Sequence, residues 1–79
     1  MRYMYTKHHL EAAGKALYGD RWQTDLSRDL HLSDARRIRQ WMAGERPIPN
    51  GIWDDLRALL SERQLSIQEV LDKLDDARE

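Results

Sequence analysis

Apolar residues recur at steps of three and four along most of the chain, and this spacing constrains the fold more than any other feature. No stretch reads convincingly as a β-strand. Gly14 interrupts the first stripe, so we expect it to mark a close contact between helices. We predict an all-α domain of four to five short helices spanning residues 1–79. Its first two stripes, separated by Gly19, are Leu10, Ala13 and Leu17, then Trp22, Leu26 and Leu30.

Capping residues predict where these helices begin and end. Asp20 stands before the second stripe with Gln23 three residues later, which is the spacing of a capping box. Ser33 and Asp34 are both suitable caps for a third helix, which we expect to stop at Gly44. The second and third helices would then be joined by a sharp turn of two or three residues.

The C-terminal third predicts two more helices, at about residues 50–64 and 66–77. The second of these begins at Ser66-Ile67-Gln68-Glu69, another capping-box pattern. We expect these helices to close the core and to form a homodimer interface. In that arrangement Ile67 and Val70 face inward, and Leu71 and Leu74 contact the partner.

The distribution of charge is more informative than its total of −1. Residues 21–49 carry six Arg against four acidic residues, whereas residues 50–79 carry eight acidic residues against four basic ones. A basic middle segment favours an anionic partner such as nucleic acid.

Other classes of protein are disfavoured by composition. No apolar run exceeds three residues and the N-terminus lacks a signal-like stretch, so we expect a cytoplasmic protein without membrane contact. Without Cys the chain has no thiolate metal site. His8 and Glu11 share a helix face but are too few to bind a metal. We therefore expect no enzyme, metal, cofactor or small-molecule ligand.

The third helix carries the residues that suggest a function. On a helical wheel one exposed face presents Ser33, Arg36, Arg37 and Gln40, with Arg39 near its edge. Arg binds guanine and Gln binds adenine through paired hydrogen bonds in the DNA major groove.

Two segments resemble the helix-turn-helix of the Cro/repressor-like (XRE-type) regulators. They are Gln23-x-x-Leu26-Ser27-x-x-Leu30-x-Leu32-Ser33 and Ile38-x-x-Trp41-x-x-Gly44. The resemblance implies a lambda-repressor-like domain with its motif at about residues 21–43. It also implies a small transcriptional regulator, a dimeric repressor that binds double-stranded DNA at a palindromic operator in the nucleoid.

Two positions depart from the family pattern. His31 stands where the family has Gly, at a position that often needs a positive φ. The spacing from Ser33 to Trp41 is one residue longer than usual. Either the turn is longer and Asp34 is the cap, or the third helix is shifted by one residue.

Further contacts would go to DNA phosphates, with Gln23, Ser33 and Arg46 as first candidates and Arg28 and Arg39 at the edge of the site. The alternative role of Gln23 is to cap the second helix together with Asp20. The alternative for Arg28 and Arg46 is that they are ordinary exposed residues without a DNA contact. The alternative function is a protein-interaction module on the same fold, such as an inhibitor, antitoxin or adaptor of a phage or mobile element.

Overall fold

The computed structural model describes residues 4–78, and four α-helices account for most of that range. They are α1 (Lys7–Tyr18), α2 (Trp22–Asp29), α3 (Arg36–Met42) and α4 (Asn50–Asp76). The described residues include no strand, so the all-α prediction is confirmed. None of the helices described is long and apolar enough to span a lipid bilayer.

The prediction of two C-terminal helices is wrong, because residues 50–64 and 66–77 belong to the single 27-residue helix α4. Ser66 therefore lies inside a helix and does not cap one. A capping-box pattern begins a helix only where the preceding chain is not helical, and residues 61–65 contain neither Gly nor Pro. Gln68 donates a hydrogen bond to Asp72 one turn later, as residues within one helix do.

The hydrophobic core lies where α1, α2, α3 and the first half of α4 meet. Leu10 of α1, Leu26 of α2 and Ile38 of α3 are completely buried at its centre. Around them lie Leu17, Trp22, Leu30, Trp41 and Leu56. Trp22 and Trp41 are thus the large aromatic residues of the core, and Trp53 packs against it at its edge.

α1 and α2 approach each other closely at Gly14. The ring of Trp22 lies against Gly14, so close that a Cβ atom on Gly14 would stand 2.1 Å from a ring carbon. The expected role of Gly14 at a close helix contact is confirmed. This contact places α2 across α1 and so positions everything that follows α2.

The predicted helix ends are found at two glycines, whereas the cap predicted at Asp20 is not found. Gly19 and Gly44 adopt positive φ values of 83° and 76° just after α1 and α3. No side chain caps α2, so the capping box predicted for Asp20 and Gln23 is wrong. The chain turns sharply through Asp20 and Arg21 to bring Trp22 onto Gly14, and this leaves Asp20 outside the capping position.

The prediction that Ile67 and Val70 face inward is also wrong. Their side chains are 53% and 55% exposed. Because α1 ends at Tyr18, no described element lies beside the C-terminal half of α4 to cover them. Every described residue from 61 onward is exposed.

We predict that Gly14→Ala destabilises the protein although Ala is the better helix former. Alanine gains about 1 kcal/mol of helix propensity. Overpacking costs about 1–3 kcal/mol, and a contact this short with a buried ring lies at the upper end. We expect a net loss of about 1–2 kcal/mol in the free energy of unfolding, measured by urea denaturation. Gly51→Ala is the matched control, because its Cβ would meet nothing within 4 Å, and it should not destabilise.

The continuity of α4 predicts that Ser66→Ala is neutral or stabilises the protein by up to about 0.5 kcal/mol, because Ala has the higher propensity inside a helix. An N-cap would behave in the opposite way, since its loss costs about 1 kcal/mol. Urea denaturation of the variant distinguishes the two. A loss of about 1 kcal/mol would show that a helix begins at Ser66.

Candidate functional site

The segment between α2 and α3 sets the orientation of α3. It comprises residues 30–35, so the turn is longer than the two or three residues predicted. Leu32 donates its backbone N–H to the carbonyl of Ser27 at 2.8 Å, which folds the turn back onto α2. The half-buried side chain of Leu32 packs against the core, as expected for a residue between two helices.

The backbone of His31 and the side chain of Asp34 define the local geometry of this turn. His31 has a φ of 61°, in the left-handed region that residues other than glycine rarely adopt. The Asp34 carboxylate accepts the backbone N–H of Arg36 at 2.8 Å. Of the two alternatives for the register of α3, the structure has the longer turn, but the capping position is taken by Ala35, so the prediction of Ser33 or Asp34 as the cap is wrong.

One side of α3 is buried and the other is open. Ile38 and Trp41 enter the core, and Met42 lies at its edge. Ala35 is buried just before the helix. Trp41 is buried in the core cluster. The outward side carries Arg36, Arg37, Arg39 and Gln40.

An open polar groove of about 510 Å³ runs along this outward side. It brings together five of the predicted DNA-contacting residues, from the turn, from α3 and from the segment after it: Ser33, Arg36, Arg37, Gln40 and Arg46. Its lining also includes His31, Leu32 and Asp34. We refer to it below as the α3 groove.

The arginines of the α3 groove have no ionic partner. Among residues 4–78, the guanidinium groups of Arg36, Arg37 and Arg46 take part in no salt bridge or hydrogen bond. Arg57 and Arg63, in contrast, bind the Tyr5 hydroxyl and the Leu17 carbonyl. The groove arginines therefore keep all their donors available for an external acceptor.

Three predicted residues lie outside the α3 groove. Arg39 is exposed on α3 but does not line it. Gln23 is half-buried in the first turn of α2. Arg28 is exposed and forms ion pairs with Asp25 and Asp29, at 3.2 Å and 3.7 Å. The structure thus does not bring these three together with the other five.

Sequence reasoning missed His31 and Asp34 as lining residues of the α3 groove. His31 was singled out only for its backbone, and Asp34 only as a cap. The signal was available, because a residue in a tight turn before an exposed helix must lie at the end of the surface that the helix presents. Asp34 matters chemically, since its carboxylate repels a phosphate but accepts a hydrogen bond from an amino group.

The ends of α1 and α2 are joined by a pair outside the α3 groove. The Tyr18 hydroxyl donates a hydrogen bond to the Asp29 carboxylate. Burial, this hydrogen bond and the charge of Asp29 raise the pKa of Tyr18 from 10.0 to about 12. Arg63 lies over the Tyr18 ring at 5.7 Å. With its pKa raised in this way, Tyr18 keeps its proton near neutral pH.

Metal chemistry has no support in the described residues. His9 accepts the backbone N–H of Thr6 through Nδ1 at 3.0 Å, which helps to cap α1. No three His, Asp or Glu side chains among residues 4–78 converge on a point where a metal ion would bind.

Comparison of the chain with protein-family models, with curated proteins and with solved structures finds no match. Any function of the α3 groove therefore rests on the groove's own residues and geometry.

We predict that the raised pKa of Tyr18 makes stability fall between pH 10 and pH 12. The unfolded chain loses the Tyr18 proton near pH 10 and the folded chain only near pH 12, so rising pH favours the unfolded state in this window. Tyr18→Phe removes this contribution. The difference in free energy of unfolding between wild type and variant should therefore shrink from pH 9 to pH 12, measured by urea denaturation. A difference that does not vary with pH would contradict the assignment.

Proposed function

We propose that this protein is a small sequence-specific DNA-binding regulator, a repressor that inserts α3 into the major groove. The observation that carries the proposal is the set of unpaired arginines on the outward side of α3, next to the amide of Gln40. Arg28 on α2, in contrast, is paired with Asp25 and Asp29.

The side chains of the α3 groove match the hydrogen-bonding groups on base edges. Arg36 and Arg37 are suited to the two acceptors of guanine, and Gln40 to the donor and acceptor of adenine. Asp34 is suited to the amino group of cytosine. With seven residues, α3 is about 10 Å long, which fits within a major groove about 12 Å wide.

Contacts to the phosphates would hold α3 in position. Ser33 and Arg46 line the α3 groove from the segments before and after α3, and we assign them to the DNA backbone. Gln23 in the first turn of α2 and exposed Arg39 are further candidates. Arg28 would first have to leave its two acidic partners, so we rank it last among the predicted phosphate contacts.

The order of elements supports a helix-turn-helix of the Cro/repressor-like kind. α2, which buries one side in the core, is followed by a turn with a positive φ at His31. α3 comes next, with its polar side outward. Regulators of this kind pair about a two-fold axis to read a palindromic operator. The exposed side chains of Ile67, Val70, Leu71 and Leu74 are the proposed contacts of that pair, which would act on the nucleoid.

We predict that Arg37→Ala weakens binding to the cognate operator by about 5- to 150-fold, equivalent to about 1–3 kcal/mol, because a guanine contact is lost. Arg46→Ala should weaken binding to all sequences alike and reduce the slope of log affinity against log salt by about 1. The operator is obtained by selection from a random duplex library, and affinities are measured by fluorescence anisotropy over a range of salt concentrations.

Lys15→Ala is the control for these variants, because it removes one positive charge from α1, where Lys15 pairs with Glu11. It should leave operator affinity unchanged. Equal binding by wild type and Arg37→Ala would disprove the assignment of Arg37 to a base. Failure to recover any duplex would instead favour the protein-interaction module on the same fold.

A further inference from the structure

The C-terminal half of α4 extends away from the core. The radius of gyration of the described chain is 15.1 Å, against about 12 Å for a compact domain of this length. The longest dimension is 54 Å, and α4 accounts for about 40 Å of it. A single helical segment of this length is marginally stable in water unless its apolar side is covered.

The apolar side of this segment is well defined. Ile67, Val70, Leu71 and Leu74 are all about half exposed or more. At 100° per residue they fall on the same side of α4 as Leu56 and Leu60, which pack against the core. The core-facing stripe of α4 therefore continues past the end of α1 with nothing in the described chain against it.

A second uncovered apolar surface lies between α1 and α4. It is an open groove of about 500 Å³, which we call the α1/α4 groove. On α1 it is lined by the small side chains of Ala12, Ala13 and Ala16, and on α4 by Trp53, Leu56 and Leu60. Small residues on one wall let another helix approach closely. The groove thus has the shape and the polarity to accept an amphipathic helix.

We propose that the α1/α4 groove binds the C-terminal half of α4 from a second copy of this chain, with the two α4 helices antiparallel. Each copy then supplies one helix and one groove, so the contact is two-fold symmetric and closed. Both uncovered apolar surfaces are buried in a single interface. The proposal concerns the free protein and does not depend on DNA binding.

Charge distinguishes the antiparallel arrangement from a parallel one. Arg57, at the rim of the α1/α4 groove, and Asp75 lie on the same side of α4, eighteen residues or about five turns apart. Antiparallel pairing centred near residue 66 places Arg57 of each copy beside Asp75 of the other. Parallel pairing keeps Arg57 and Asp75 about 27 Å apart along the helix axis, so the two charges cannot meet.

The area available also favours the antiparallel arrangement. In a parallel pair the α4 helices could meet only beyond Arg63, because α1 covers the same side of α4 before that residue. About three turns would then be buried, and the α1/α4 groove would stay open. In the antiparallel pair, Leu71 of the second copy lies opposite Ser61, next to the alanines of the α1/α4 groove.

Single substitutions to Glu test whether these surfaces associate. Leu71→Glu should convert the dimer to a monomer in sedimentation equilibrium, because it places a charge in the interface. Leu65→Glu is the matched control, since Leu65 is a 62% exposed leucine on the opposite side of α4 and should leave the dimer intact. Circular dichroism checks that both variants remain helical. A monomeric wild-type protein, or equal effects of both substitutions, would overturn the proposal.

Disulfide trapping tests the direction of pairing, and the chain contains no native Cys to interfere. Ser61→Cys and Leu71→Cys chains are oxidised separately and as a mixture. The antiparallel pair predicts a disulfide between the two different variants and little self-crosslinking of either. Self-crosslinking of Leu71→Cys alone would show a parallel pair, and absence of all crosslinks would show that the two residues do not meet. Either outcome overturns the proposal while leaving operator binding to be judged from its own experiment.

Discussion

The contact between Gly14 and the ring of Trp22 is the constraint on which the rest of the structure depends. A glycine in the middle of α1 allows α2 to approach until an aromatic ring takes the space of a side chain. Because α2 is held there, Leu26 and Ile38 meet Leu10 at the centre of the core. The α3 groove is therefore positioned by a contact on the other side of the domain.

The turn between α2 and α3 sets which side of α3 is exposed. His31 adopts a positive φ in this turn, and the Asp34 carboxylate accepts the backbone N–H of Arg36, the first residue of α3. A change of one residue in this register would rotate α3 by about 100° and bury a different side. The arginines of the α3 groove point outward because Ile38 and Trp41 occupy the inward side.

The sequence was most informative where one residue acts on its own neighbours. The ends of α1 and α3 at Gly19 and Gly44 were predictable, because a positive φ is a local requirement that Gly meets. The outward position of Arg36 and Arg37 followed from helical periodicity alone. The ion pairs of Arg28 are local in the same sense, because Asp25 and Asp29 lie three residues before it and one residue after it on α2.

Local patterns failed where a distant contact or its absence decided the outcome. Asp20 has the spacing of a cap, but the chain turns there so that Trp22 can reach Gly14. Ser66 has the same pattern, and α4 continues through it because nothing interrupts the preceding turn.

The sequence by itself determined the helical class, the glycine-terminated helix ends and the sidedness of α3, since each depends on residues within one or two turns. Only the tertiary structure decided that α4 is continuous and that its stripe runs beyond the core. The physical reason is that an apolar residue is buried only where another element lies beside it. The position at which α1 ends is set by the chain as a whole and cannot be read from α4.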